Sequence, residues 1–118
     1  MEIGTLVEML GGKIIVGEQY MEKKVDYAFS SDLMSDVLAF VSEHAQDCVL
    51  LTGLTNNQVI RTAEMLDLSA IVFVRGKCPP MEVIELAEEN DMVLISTPHT
   101  LYATSGILYG QGLEGVPI

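Results

Sequence analysis

The chain has 118 residues, with six basic and seventeen acidic side chains giving a net charge of −11. That length suits one domain with a single core. The shortage of clustered Lys and Arg argues against nucleic acid or an anionic membrane surface as partner. Apolar residues make up 49% of the chain, at a mean hydropathy of +0.36. This is high for so small a domain, and points to two-sided burial of a parallel sheet and to a self-association surface, most simply a homodimer.

The first helical signal is Thr5 with Glu8 at capping-box spacing, followed by apolar Leu6, Val7, Met9 and Leu10 and closed by Gly11-Gly12. A short strand is expected over residues 13–16, a polar surface connection over 18–24, and a second strand over 25–29. Ser30, Ser31 and Asp32 offer alternative N-caps for a helix over 33–43, whose Leu33, Met34, Val37, Leu38 and Val41 recur at helical intervals. Asp36 then suits the first turn of that helix.

Three similar units follow, beginning at Val49, Ile71 and Val93 with equal spacing. Each is a short apolar run, a polar or glycine-bearing turn and a helical pattern. Consecutive strand-turn-helix units normally make parallel strands. In the first unit Thr55 or Asn56 caps the helix. In the second Pro79-Pro80 starts it, where proline is tolerated. In the third Pro98 or His99 opens it, with Gly106 a weak point and residues 110–112 its end. Residues 115–118 form an apolar tail that must dock on the domain or fray. The expected architecture is a single α/β domain over residues 1–118, with a mostly parallel sheet and three consecutive C-terminal strand-helix units.

Parallel strands bring all three turns to one edge of the sheet, where ligands of open α/β folds bind. The residues collected there are Thr52, Gly53, Asn56 and Asn57; Arg75, Gly76 and Lys77; Ser96, Thr97, His99 and Thr100. Arg75 and Lys77 flank a glycine, and glycine lets backbone approach a ligand, so a small anion is a plausible occupant. Pairing of both cations with neighbouring acids is the competing reading. His99 stands among hydroxyls, but no spacing selects a third residue to orient it as a catalytic base.

Neither a Walker loop nor a dinucleotide glycine pattern is present, no His/Cys cluster has metal-ligand spacing, and no cofactor is indicated. Cys48 enters a strand and Cys78 follows one. Parallel strands would place them at opposite edges, so two free thiols are expected. Residues 1–4 lack the basic start of a signal peptide, and no run approaches the roughly 20 apolar residues of a membrane span. A cytoplasmic location is the resulting expectation.

The strings Ser31–Ala39 (SDLMSDVLA), Leu50–Asn56 (LLTGLTN) and Ala70–Lys77 (AIVFVRGK) resemble the DRTGG-domain family over nearly the whole chain. The resemblance is nearest to stand-alone members found near iron-only hydrogenase genes in anaerobic bacteria. Related domains occur as regulatory modules in some phosphotransacetylases and inorganic pyrophosphatases, and the N-terminal domain of HPr kinase/phosphorylase is similar in fold. Where family members carry Asp-Arg after the first glycine this chain has Leu54-Thr55. Where they carry Thr-Gly-Gly it has Val74-Arg75-Gly76, so Gly53 and Gly76 are the positions that carry over.

The resemblance implies a self-associating regulatory or assembly domain, with no established catalysis and a possible partner enzyme of anaerobic metabolism. A sensor of an anionic metabolite or nucleotide is the second reading, supported by Arg75-Gly76-Lys77. An enzyme acting on a phosphorylated metabolite through His99 is the third.

Overall fold

A computed structural model describes residues 1–118. Six strands form one sheet in the order β1-β5-β4-β3-β2-β6. The strands are β1 Lys13–Val16, β2 Tyr27–Ser30, β3 Cys48–Thr52, β4 Ala70–Phe73, β5 Leu94–Ser96 and β6 Glu114–Gly115. The helices are α1 Ile3–Met9, α2 Met34–Val41, α3 Asn57–Leu66, α4 Met81–Glu89 and α5 Leu101–Gly110. The mostly parallel α/β architecture expected from the sequence is present, and β1 alone pairs antiparallel, against β5.

Handedness dictates where the helices go. From β2 to β5 the chain steps across the sheet in one direction, so right-handed crossovers lay α2, α3 and α4 on one face. The step from β5 back past β2 to β6 reverses direction and sends α5 to the other face, beside α1. Two apolar clusters follow from this. Leu50, Ile71, Phe73 and Leu94 pack with Val37, Val59, Ile60 and Val83 of the three-helix face. Val49, Leu51, Val72 and Ile95 pack with Ile3, Leu6 and Leu108 on the other. Register aligns the strands in rows, with Leu50, Ile71 and Leu94 level, then Leu51, Val72 and Ile95. All of β3 and β4 is buried, which accounts for part of the high apolar content.

Several local expectations need correction. Helix α1 begins at Ile3, so Thr5 lies inside it and Glu2, without a side-chain cap bond, precedes it. Helix α2 is preceded by Leu33, not capped by Ser30, Ser31 or Asp32. Thr100, rather than Pro98 or His99, caps α5 by accepting from the Ala103 amide. The expected cap at Asn56 is present: its side chain accepts from Val59 N at 3.3 Å. Proline stands at the start of α4, with Pro80 immediately before its first residue. The tail docks through the short strand β6, with Val116 buried and its amide bonded to Ala28 O. No helix is long and apolar enough to cross a membrane.

Both cysteines are free, Cys48 buried and Cys78 exposed. Burial pushes the Cys48 thiol from 9.0 up to about 12. Native protein at mildly alkaline pH should therefore show one thiol reactive toward a disulfide reagent, and denatured protein two. Rapid modification of both in the folded state would contradict the placement of Cys48. Because folding favours the protonated thiol, the contribution of Cys48 to stability is complete below pH 9.0 and declines as pH rises toward about 12.

Candidate functional site

The carboxyl ends of β2 to β5 carry the loops to α2, α3, α4 and α5. In doubly wound sheets the usual ligand crevice lies where successive helices leave for opposite faces. Here that point lies between β4 and β5, and the two loops clasp one another across it. Arg75 N donates to His99 O and Gly76 N to Thr97 O, both at 2.7 Å. The backbone amides that the sequence offered to an anion at Gly76 are thus already used.

The open part of the edge lies one strand over, around Gly53. Thr52 is fully buried at the end of β3, and its hydroxyl donates to Asp32 Oδ1 at 2.9 Å. The same oxygen accepts from Gly53 N at 2.7 Å. Asp32 itself is exposed in the loop between β2 and α2. Leu54 N turns back to the Thr52 hydroxyl at 3.2 Å, and Lys77 Nζ donates to Gly53 O at 3.0 Å. A Cβ on Gly53 would stand 3.0 Å from Arg75 Nη2 and 3.5 Å from Asp32 Oδ2. A side chain at this position would crowd the guanidinium and displace it, so the glycine lets Arg75 lie close over the backbone while Asp32 stands at ordinary contact distance.

Arg75 is held there by an unusual backbone. Its φ is 59°, followed by 67° at Gly76. Asp67 and Asp91 also have positive φ, but they terminate α3 and α4, where a left-handed residue is ordinary. Arg75 follows a strand, and a non-glycine residue in that region is strained by about 1–3 kcal/mol. The clasp to His99 and Thr97 supplies the restraint. Lys13 of antiparallel β1 stands opposite Ser96, so three of the six basic residues lie along this edge. They share it with Asp32, and with Asp36 and Glu82 in first helical turns.

Of the residues selected from sequence, Thr52, Gly53, Arg75 and Lys77 come together in this cluster, with Gly76 completing the strained turn. Asn56 stands on the rim of an adjoining cleft of about 560 Å³ between the starts of α3 and α4, with Thr55, Asn57, Gln58 and Glu82. Thr97 is fully buried, and its hydroxyl donates to Leu10 O at 2.8 Å, tying the end of α1 to the sheet. His99 contributes its carbonyl to the clasp. Around it, the Thr100 side chain accepts from Ala103 N and the Thr104 hydroxyl donates to Thr100 O. Asp32 and Lys13 were missed by sequence reasoning. A surplus of cap-type residues in Ser30-Ser31-Asp32 was the available signal for Asp32, since one helix start uses at most one of them. A second cavity of about 350 Å³ beside β1 presents Glu18, Glu88 and Asp91, a lining that repels anions. No group of three potential ligand side chains is placed to hold a metal ion.

Fold and site define a small α/β domain with a mixed-charge notch at the carboxyl edge of its sheet. Residues 5–110 match the DRTGG domain, and the chain belongs to that family. It is similar in structure to the CBS and DRTGG domains of the regulatory region of Clostridium perfringens pyrophosphatase, a crystal structure in complex with the activator diadenosine tetraphosphate. The TM-score is 0.71 at 18% identity, over 91% of this chain and 45% of that one. The chain thus spans under half of that structure's length, and the likeness at this identity is one of fold. No curated protein matches the chain.

Strain at Arg75 can be measured directly. Arg75→Gly should raise unfolding stability by about 1 kcal/mol, because glycine adopts the left-handed conformation without penalty and Arg75 is exposed. Chemical denaturation compares the two proteins, and a destabilised variant would contradict the strain assignment.

Proposed function

We propose that this chain is a non-catalytic regulatory domain that binds a small anionic metabolite or nucleotide beside Gly53 and works as a homodimer. The observation that carries the reading is Arg75. Strained backbone persists where surrounding structure enforces it, and such positions concentrate at binding sites. Here the strain delivers a guanidinium to a glycine notch beside the Lys77 ammonium. Arg is the side chain best shaped for two-pronged contact with phosphate or carboxylate.

The structural neighbour supports a regulatory role, since it is a regulatory region seen with a nucleotide activator. For this chain the anion would occupy the notch, and the amide-lined cleft at Asn56, Asn57 and Gln58 offers hydrogen bonds to the rest of the ligand. A catalytic reading gains little, because the hydroxyls of Thr97, Thr100 and Thr104 near His99 are bonded to backbone. Self-association is supported by Tyr102 and Tyr109, 91% and 75% exposed along α5. They border an apolar groove of about 320 Å³ over Ala28, Leu51 and Leu113. The output would be a change in a partner enzyme, for which the family resemblance points to anaerobic metabolism.

A thermal-shift screen of nucleotides and phosphorylated metabolites tests the first part, because a ligand of the native state raises its melting temperature. Replacing Arg75 and Lys77 together by Ala should weaken binding of a hit at least tenfold, about 1.4 kcal/mol. Unchanged affinity in a folded double variant would remove the notch as the site. Light scattering at micromolar concentration should give about twice the chain mass, as for the commonest symmetric oligomer. A monomer across that range would refute the homodimer.

A further inference from the structure

We propose that the Asp32 carboxylate is a built-in competitor for the anion, and that a phosphoryl-class ligand binds by displacing it. The inference rests on the reading of the notch as an anion site. Asp32 occupies the position that an anionic ligand needs. Its Oδ1 accepts from a hydroxyl and a backbone amide, Thr52 at 2.9 Å and Gly53 at 2.7 Å. Its Oδ2 lies with Arg75 Nη2 on the bare side of Gly53. Hydroxyl and amide converge on that one oxygen, and the Arg75 guanidinium, which makes no ion pair with Asp32, stands beside Gly53 free to meet a second phosphoryl oxygen.

The exchange is chemically conservative. Thr52 is fully buried and Gly53 is buried, so their donors require an acceptor. A phosphoryl oxygen replaces a carboxylate oxygen without orphaning either. Asp32 is free to leave because it is exposed and lies in a loop. The start of α2 does not depend on its carboxylate, since Leu33 occupies the cap position without a side-chain cap bond. The Leu33 amide instead donates to the Ser31 hydroxyl at 3.0 Å.

Two consequences follow. The free energy of moving Asp32 sets a threshold, because ligand sees only the fraction of molecules with the notch open. The displaced loop also leads directly into α2, whose flank exposes Leu33, Leu38 and Phe40. Occupancy of the notch therefore reaches a partner-accessible surface through a few residues of chain.

Inorganic pyrophosphate, titrated into the full chain and followed by amide NMR and calorimetry, is the probe. Asp32→Asn should bind it about tenfold more tightly than the native chain, since the competing charge is gone while the cradle remains. Asp36→Asn, which removes an equal charge at the same edge, should stay within about twofold of the native chain. In the native protein the Gly53 amide resonance should move in step with saturation, which tests the exchange even if Asp32→Asn does not fold. Equal or weaker binding by Asp32→Asn, or equal tightening by Asp36→Asn, would overturn the competitor while leaving an anion site in place. Saturation with a stationary Gly53 amide would do the same. No binding by any of the three proteins would overturn the competitor and the anion site together.

Discussion

Two-sided burial of β3 and β4 is the constraint from which the remaining structure follows. A strand covered on both faces has no solvent-facing side, so each residue of Cys48–Thr52 and Ala70–Phe73 must be apolar or have its polar group satisfied within the protein. Thr52 is the exception in composition. It is polar, level with Phe73 and Ser96 at the last row of the sheet, and fully buried. Its hydroxyl finds an acceptor in a carboxylate reaching over from the neighbouring loop. The notch is thus the solution to a burial problem as well as a candidate binding surface. Under the proposed reading, a stability requirement and a ligand requirement fall on the same atoms.

What the sequence revealed of this follows physical lines. Apolar runs separated by helical periodicity located β3, β4 and β5, because packing dictates pattern. Asn56 and Pro80 marked helix starts, because their chemistry suits few other positions. Direction is different: Ile14, Ile15 and Val16 satisfy a parallel or an antiparallel neighbour equally, and only the chain path decides. Strand β6 has two residues, too few to show alternation. Thr5 and Glu8 had the right spacing for a capping box, yet Ile3 and Leu6 are both fully buried, and that packing draws the helix start upstream.

The site was legible in residue type and less so in connection. Thr52, Gly53, Arg75 and Lys77 could be placed at one edge from the expected parallel direction of the strands, without knowing their order. The dependence of Arg75 on His99 and Thr97 could not, since a left-handed arginine leaves no mark in composition. Asp32 was obscured by two adjacent serines that shared its most common role. The edge also proved less free than its glycines implied, because amides at Arg75 and Gly76 serve to join two loops. What remains for a ligand is side-chain chemistry and one contested cradle.

The order of strands has a bearing on how the chain reaches this state. Strand β1 is complete at Val16, yet its sheet partner ends at Ser96, and the Thr97 hydroxyl that fastens Leu10 is 87 residues away from it. Strand β2 meets β6 only after Glu114. Both outer strands of the sheet thus wait for the last third of the chain, while β2 to β5 can assemble from neighbouring units. Contacts between distant segments slow folding, since ordering the intervening chain precedes the gain. On a ribosome the four inner strands would emerge as a nearly contiguous kernel. Residues 1–4 can pair early with Met21–Val25, but Lys13–Val16 stays without its sheet partner until Leu94–Ser96 has emerged, which makes that strand a segment in need of protection from misassociation.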